Sequence, residues 1–297
     1  MRVLRWLGYG SIDFLGIMLY PLWRWLGKER IRILAYHSVR DIPRGVKFSF
    51  NVTPIAFAQQ MEYLASNKNN VITFDDLVDC KEKGHTLPSK PVIITFDDGY
   101  ADNYVNAFPI LKQHNFKATI FLVTDFINSV SIFNWLKLDE PLRLHQQDEK
   151  ASWLPLDRQS ILEMQAYGIS FGAHTRTHRK LDEIEEHQAI DEIVNSKKRL
   201  EEILSEPVIC FSYPFNRMNE KIKGLVKEAG YKIAVADEGA VNLKSDFFKL
   251  KRIGIERGDS LNKFARKING AYEWIEYPFS VYLHMKRILS QIRGNNQ

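Results

Sequence analysis

Adjacent carboxylates at Asp97 and Asp98 and a pair of imidazoles at His174 and His178 are the side chains whose types and spacing could do chemistry. Val92-Ile93-Ile94-Thr95-Phe96 is an apolar, β-branched run that stops at the two acids and Gly99, as a buried strand ending on a tight turn does. Successive residues at a strand end point different ways, so the two acids can take different roles. Glycine at 99 allows a backbone conformation that side chains resist, and lets a ligand approach the chain closely. Ile169-Ser170-Phe171-Gly172-Ala173 reads as a second buried strand, and it ends in His174-Thr175-Arg176-Thr177-His178. The four-residue spacing predicts both imidazoles on one face of a helix beginning at 175. Two imidazoles and one carboxylate with open positions suit zinc or another first-row divalent ion. Such an ion lowers the pKa of bound water and polarises a carbonyl oxygen; Asp97, beside ligand Asp98, is placed to take the water's proton.

A near-copy supplies a control. Thr73-Phe74-Asp75-Asp76 repeats Thr95-Phe96-Asp97-Asp98, but Leu77 stands where the glycine would be. Thr73 with Asp76 three residues on is a capping box, and acids in a first helical turn suit the helix dipole, so Asp75 and Asp76 read as structural. The same bland reading is open to Asp97 and Asp98, because 101–113 also looks helical; the histidine pair at a matching strand end favours chemistry. His37 closes the apolar strand Ile33-Leu34-Ala35-Tyr36 and is expected at the same end of the sheet, in a substrate-facing or ligand-supporting role. His85, His145 and His187 sit in polar surroundings, His114 near a helix end and His284 in an aromatic C-terminal stretch.

These segments resemble the polysaccharide deacetylases, the NodB-homology domains of carbohydrate esterase family four. Thr95-Phe96-Asp97-Asp98-Gly99 is similar to the family's first motif and His174-Thr175-Arg176-Thr177-His178 to its second. The resemblance runs from about 33 to about 257. It implies Asp97 as catalytic base and Asp98, His174 and His178 as ligands of a divalent metal, zinc favoured over cobalt, nickel, manganese or iron. In place of the family's Arg-x-Pro-Tyr stands Ser212-Tyr213-Pro214-Phe215, closer to the Tyr-Pro-aromatic version of the poly-N-acetylglucosamine deacetylase branch. Ser212 takes the position of the arginine that orients the base, and the Phe215 N–H can still serve an oxyanion site. In Leu250-Lys251-Arg252, Arg252 occupies the position of a general-acid histidine; a guanidinium holds its proton near neutral pH and is expected to stabilise charge instead.

Apolar runs at 31–36, 91–96, 117–123, 168–173, 208–213, 231–236 and 249–254, which would carry these groups, alternate with helical patterns at 101–113, 181–204 and 220–228. That alternation predicts parallel strands, with catalytic residues at their C-terminal ends, as in a barrel. The resemblance implies a distorted (β/α) barrel of seven or eight strands, assigned to 31–258. Within it, 125–157 lacks periodicity and reads as a long loop over the site, its Trp135 and Trp153 either stacking on a sugar ring or anchoring the loop. The 297 residues carry a net charge of +5. Residues 1–40 hold seven basic residues against Asp13 and Glu29, so 7 − 2 = +5 accounts for all of it. Segment 1–30, basic and aromatic-rich, is too short in its apolar part to span a bilayer; it and the aromatic 259–297 segment read as membrane-interfacial, or as packing on each other. The localisation expected is membrane-associated, with the cytoplasmic face favoured. Cys80 and Cys210 lack disulfide or metal spacing. No glycine loop for phosphate and no basic stripe for nucleic acid is present. The expectation is a metal-dependent enzyme removing N-acetyl groups from an amino-sugar glycan, polymeric or lipid-linked. The rival is an impaired deacetylase fold that binds a glycan or lipid carrier.

Overall fold

The computed structural model describes residues 30–42, 48–133, 135, 153–238, 241 and 243–270. Glu29–Leu261 forms one compact unit. Of the second unit only 262–270 is described; it carries most of a short helix, Leu261–Ile268. The basic N-terminal segment, the aromatic C-terminal stretch, His145 and His284 lie outside the described residues.

In chain order the strands are β1 (Arg32–Tyr36), β2 (Ser38–Val39), β3 (Asn51–Val52), β4 (Asn70–Val71), β5 (Pro91–Phe96), β6 (Thr119–Leu122), β7 (Ser170–Ala173), β8 (Cys210–Ser212), β9 (Ile233–Glu238) and β10 (Leu250–Gly254). The helices are α1 (Pro54–Ser66), α2 (Phe74–Lys83), α3 (Phe108–Gln113), α4 (Arg158–Tyr167), α5 (Glu186–Leu204), α6 (Glu220–Glu228) and α7 (Leu261–Ile268). The main sheet runs β1-β10-β9-β8-β7-β6-β5 and closes by pairing β1 with β5, Arg32 opposite Val92 through Tyr36 opposite Phe96. Every one of these pairings is parallel, so the seven strands form a closed barrel. β4 joins the start of β5 as an extra strand, and β2 and β3 form a separate two-stranded ladder. The three short strands β2, β3 and β4 have no strand pattern in the sequence; two residues are too few to carry one.

Alternation along the strands builds the site. Ile33, Ile93, Phe121, Cys210, Ile233 and Leu250 belong to one buried apolar cluster. Two or four residues further along, the same inward parity brings His37, Asp97, Ser212 and Arg252 to the C-terminal rim. Burying each Leu- or Ile-sized side chain below is worth about 1.5–3 kcal/mol, so the rim rests on a stiff floor. Gly172 is needed in that floor: a Cβ there would lie 2.6 Å from the Phe121 ring and 2.9 Å from the Cys210 carbonyl oxygen. Both cysteines are buried and free, and burial pushes the Cys210 thiol far up, out of its reactive range.

Two local expectations are met, the second with an irregularity. Thr73 and Asp76 form the reciprocal capping box of α2, with Asp76 N–H donating to Thr73 Oγ1 at 3.1 Å and Thr73 N–H to Asp76 Oδ2 at 2.8 Å. The helix expected at 101–113 forms, but with wider, π-helical winding over Asn103–Ala107 before it continues as α3. Pro109 lacks the N–H a regular helix would need there. Asn103 and Asn106 meanwhile donate to the carbonyls of His37 and Val39, at 2.8 and 2.7 Å.

Candidate active site

The two acids leave β5 on a turn that separates their directions. Asp98 has φ 72° and Gly99 φ 79°, both in the left-handed region. A Cβ on residue 99 would sit 2.4 Å from Leu122 Cδ2, and the left-handed φ there also favours glycine. The return of the long connection straps this turn from outside. Ala101 N–H donates to the Leu154 carbonyl at 2.8 Å and Leu156 N–H to the Gly99 carbonyl at 2.9 Å. Trp153 is buried beneath the Arg40 guanidinium, 3.9 Å from its ring, and Arg40 in turn donates to Asp102 at 2.6 Å. Trp153 is therefore an anchor.

His174 and His178 come together without a helix. Residues 175–178 form an irregular turn, with Thr175 at φ 64° and His178 at φ 62°, and α5 starts only at Glu186. The expected helical face is thus replaced by a turn held in the left-handed region, a cost of order 1–3 kcal/mol per residue that its surroundings must outweigh. Glu192, buried on α5, does much of this. Its carboxylate accepts from the Arg176 and Thr177 N–H groups at 2.8 and 2.9 Å and from the Thr177 hydroxyl. Arg176 pairs outward with Asp125 and Asp191.

Asp98, His174 and His178 offer ligand atoms that all lie within 4.8 Å of one another. Asp98 Oδ1 is 3.7 Å from His174 Nε2 and 3.4 Å from His178 Nε2. Ligands about 2.0–2.2 Å from one tetrahedral ion sit at such separations. His174 Nδ1–H donates to the Ser212 carbonyl at 2.8 Å, which leaves Nε2 as the bare nitrogen facing Asp98. Burial, with Asp97 next to it, pushes Asp98 up to about 8. Burial also lowers His174, and with His174 beside it carries His178 down to about 2. Three buried groups that together want a cation, two of them neutral imidazoles, fit a divalent ion.

Asp97 stands beside this triad in a different environment. Arg252 reaches it from β10 in a two-pronged pair, Nη1–H donating to Oδ1 at 2.7 Å and Nη2–H to Oδ2 at 2.6 Å. Arg252 Nη2–H also donates to Ser212 Oγ at 3.2 Å. Burial would raise Asp97, but Arg252 and His174 outweigh it and hold the carboxyl well below the usual range, so it is ionised. Arg252, expected only to stabilise charge, thus occupies the base-orienting place that sequence comparison puts at 212. His37 Nε2 lies 4.0 Å from Asp97 Oδ2; burial, with Arg252 nearby, brings its pKa down to about 4 despite that acid.

A cleft of about 450 Å³ opens over these groups, lined by His37, Phe50, Asp97, Asp98, Trp135, His174, His178, Phe215 and Arg252 among others. Tyr213 is buried in its wall, the hydroxyl donating to the Phe248 carbonyl at 3.1 Å, and Pro214, next in sequence, is buried too. Phe215, at φ 59° on the following turn, is half exposed at the mouth, as is Phe50. Sequence reasoning missed Glu192 and the pairing of Arg252 with Asp97. The signal for both was a charged residue in a buried pattern, which requires a partner.

A family model described as polysaccharide deacetylase matches residues 84–234. The chain is 29% identical over 252 residues to YxkH of Bacillus subtilis, which carries a polysaccharide deacetylase name; the match covers 84% of this chain and 78% of that one. It is 27% identical over 214 residues to the poly-β-1,6-N-acetyl-D-glucosamine N-deacetylase of Staphylococcus epidermidis, 69% of this chain and 68% of that one. The Streptococcus pyogenes deacetylase PplD, solved with acetate, shares the fold with a TM-score of 0.69 over 81% of this chain and 99% of its own, at 24% identity.

Proposed function

Because the chain belongs to the polysaccharide deacetylase family, we propose that it hydrolyses N-acetyl groups of a poly-N-acetylglucosamine-like glycan, using a divalent ion held by Asp98, His174 and His178. The observation that carries this reading is the base and the triad side by side on one rim, with Asp97 locked by Arg252. The ion would supply Lewis acidity toward the acetamide carbonyl and acidify water; zinc suits the donor set, and cobalt, nickel, manganese and iron accept it. Asp97 takes the proton of the attacking water, and Arg252 keeps both carboxylate oxygens aimed at it. The N–H of Phe215, a residue that lines the cleft, would donate to the oxyanion of the tetrahedral intermediate. With arginine at 252, the proton for the departing amine would come back from Asp97 or, through water, from His37, whose Nε2 lies 4.0 Å from Asp97 Oδ2. The half-exposed rings of Phe50 and Phe215 offer faces for the sugar.

The Staphylococcus epidermidis relative supports a β-1,6-linked polymer as the first substrate to try. Acetate release from such oligomers, with zinc or cobalt added, tests the reading. Asp97→Asn should keep the ion and lose turnover; His174→Ala should lose both. Undiminished turnover in either would refute it. Peripheral membrane contact at the cytoplasmic face is a separate proposal, supported by the basic, aromatic-rich sequence at 1–30. Among the described residues no helix is long and apolar enough to cross a membrane. Fractionation of the full chain, with release by high salt, tests it.

A further inference from the structure

Trp135 borders the cleft, and its obvious use there would be as a platform for a sugar ring. Its faces are already taken. The Phe133 ring lies 4.5 Å from the indole centroid at 28°, and the His178 imidazole lies 4.1 Å away at 25°. With stacked planes about 3.5 Å apart, two rings on one face at those distances would have centres no more than about 5 Å apart. Coplanar rings need more room than that, so Phe133 and His178 cover opposite faces. Phe126 meets the indole edge-on at 5.2 Å and 76°.

The imidazole in this stack differs from its partner in the triad. His174 is fixed by its Nδ1–H bond to the Ser212 carbonyl. Among the described residues, the buried Nδ1 of His178 has no hydrogen-bond partner. A ligating imidazole ordinarily gives its second nitrogen to an acceptor, which fixes tautomer and ring plane. For His178 the backbone is held, its N–H donating to Thr175 Oγ1 at 2.9 Å, but among the described residues no polar group holds the ring. Aromatic rings do: Trp135 on one side and Phe215, 4.6 Å away and tilted 55°. The stack continues from Phe133 edge-to-face onto Tyr100, 5.0 Å away and two residues beyond Asp98.

We propose that Trp135 is the positioning residue of His178, its stacked indole replacing the missing hydrogen bond that would orient the imidazole toward the ion. This rests on the metal triad proposed above, and it removes Trp135 from the sugar-binding surface, leaving Phe50 and Phe215. The test is metal binding by the purified full chain, stripped of metal and titrated with zinc against a chromophoric chelator and with cobalt by its visible ligand-field bands. Trp135→Ala should weaken zinc binding about tenfold or more, the range for loss of a ligand-orienting group, and should alter the cobalt bands. Trp135→Phe, which keeps a face, should stay close to wild type. If the alanine variant does not fold, Trp135→Leu, which fills the space without a stacking face, decides the matter by the same titration. Unchanged zinc affinity and cobalt bands in the alanine or leucine variant, with KM raised on glycan, would overturn the proposal and restore the sugar platform while leaving the triad standing. A wild-type chain that takes up no ion would instead remove the triad, and this proposal with it.

Discussion

Replacing Arg252 by alanine would strip the base of its partner and leave a buried carboxylate alone. Both side chains are 5% exposed, and the two hydrogen bonds are 2.6 and 2.7 Å long, so solvent screens little of the interaction. Breaking a buried pair by removing one member costs about 3–5 kcal/mol, mostly because the survivor stays desolvated. For a chain of this size that is a fall in Tm of roughly 6–20 °C. The assay is a double-mutant cycle read by urea unfolding: Arg252→Met, Asp97→Asn, and both together. The double variant, with neither charge, should recover about 2 kcal/mol or more relative to the sum of the singles. Activity separates orientation from charge. Arg252→Lys keeps the cation but loses the planar fork, and kcat should fall about 100-fold, as for a base misplaced by about 1 Å, with KM changed little. A coupling below about 0.5 kcal/mol, together with wild-type kcat in the lysine variant, would refute the view that Arg252 holds the base.

Three further outcomes follow from the same geometry. Ser212→Arg places a second guanidinium within reach of the first, whose Nη2 is now 3.2 Å from Ser212 Oγ, so it should inactivate and destabilise the chain; Ser212→Arg combined with Arg252→His removes the clash, and acetate-release assays should find activity regained relative to Ser212→Arg alone. Glu192→Ala leaves the N–H groups of Arg176 and Thr177 without their acceptor, at about 1–3 kcal/mol each, and zinc titration should show weaker binding, with Glu192→Gln milder. The two Asp-Asp copies should part: Asp76→Ala should cost about 1 kcal/mol of stability, through the lost hydrogen bond from the Thr73 N–H of the capping box, with kcat unchanged, whereas Asp98→Ala should abolish metal uptake, each checked by unfolding and zinc titration.

What the sequence made legible is local. β5 and β7 announce themselves by short apolar runs, and the residues that end them are the ones the rim needs. Composition could also separate the two Asp-Asp copies, because a capping box is complete within four residues and Gly99 marks the turn that is not a cap. That the strands run parallel followed from the alternation of strand and helix patterns, whereas their number and closure into a barrel were implied by the family resemblance. The helix expected from 175 did not form, because spacing alone cannot distinguish a helical face from a turn whose φ values are set by a neighbouring helix. That neighbour was faintly written: Ala189, Glu192, Ile193, Ser196 and Leu200 form the buried stripe of α5, and an acid in such a stripe must be answering donors nearby.

The pairing of Arg252 with Asp97 shows where one-dimensional comparison gives out. Motif alignment assigns a role to a position, and position 212 had lost its arginine while position 252 had gained one. Taken separately, each is a defect: a base without its orienting cation, and a site without its acid. Closure of the barrel brings β8 and β10 to the same rim, with Ser212 and Arg252 both inward-facing and 3.2 Å apart, so a guanidinium from either strand can reach the same carboxylate. The parity of Leu250-Arg252-Gly254 alone puts a cation inside the barrel, where it needs a carboxylate that no ion has claimed. Asp98 is committed to the triad and Asp97 is not, so the pair could have been deduced had inward parity been followed across the closed sheet. On this geometry the two departures form one exchange, in which the Asp97 carboxylate is oriented from β10 instead of from β8.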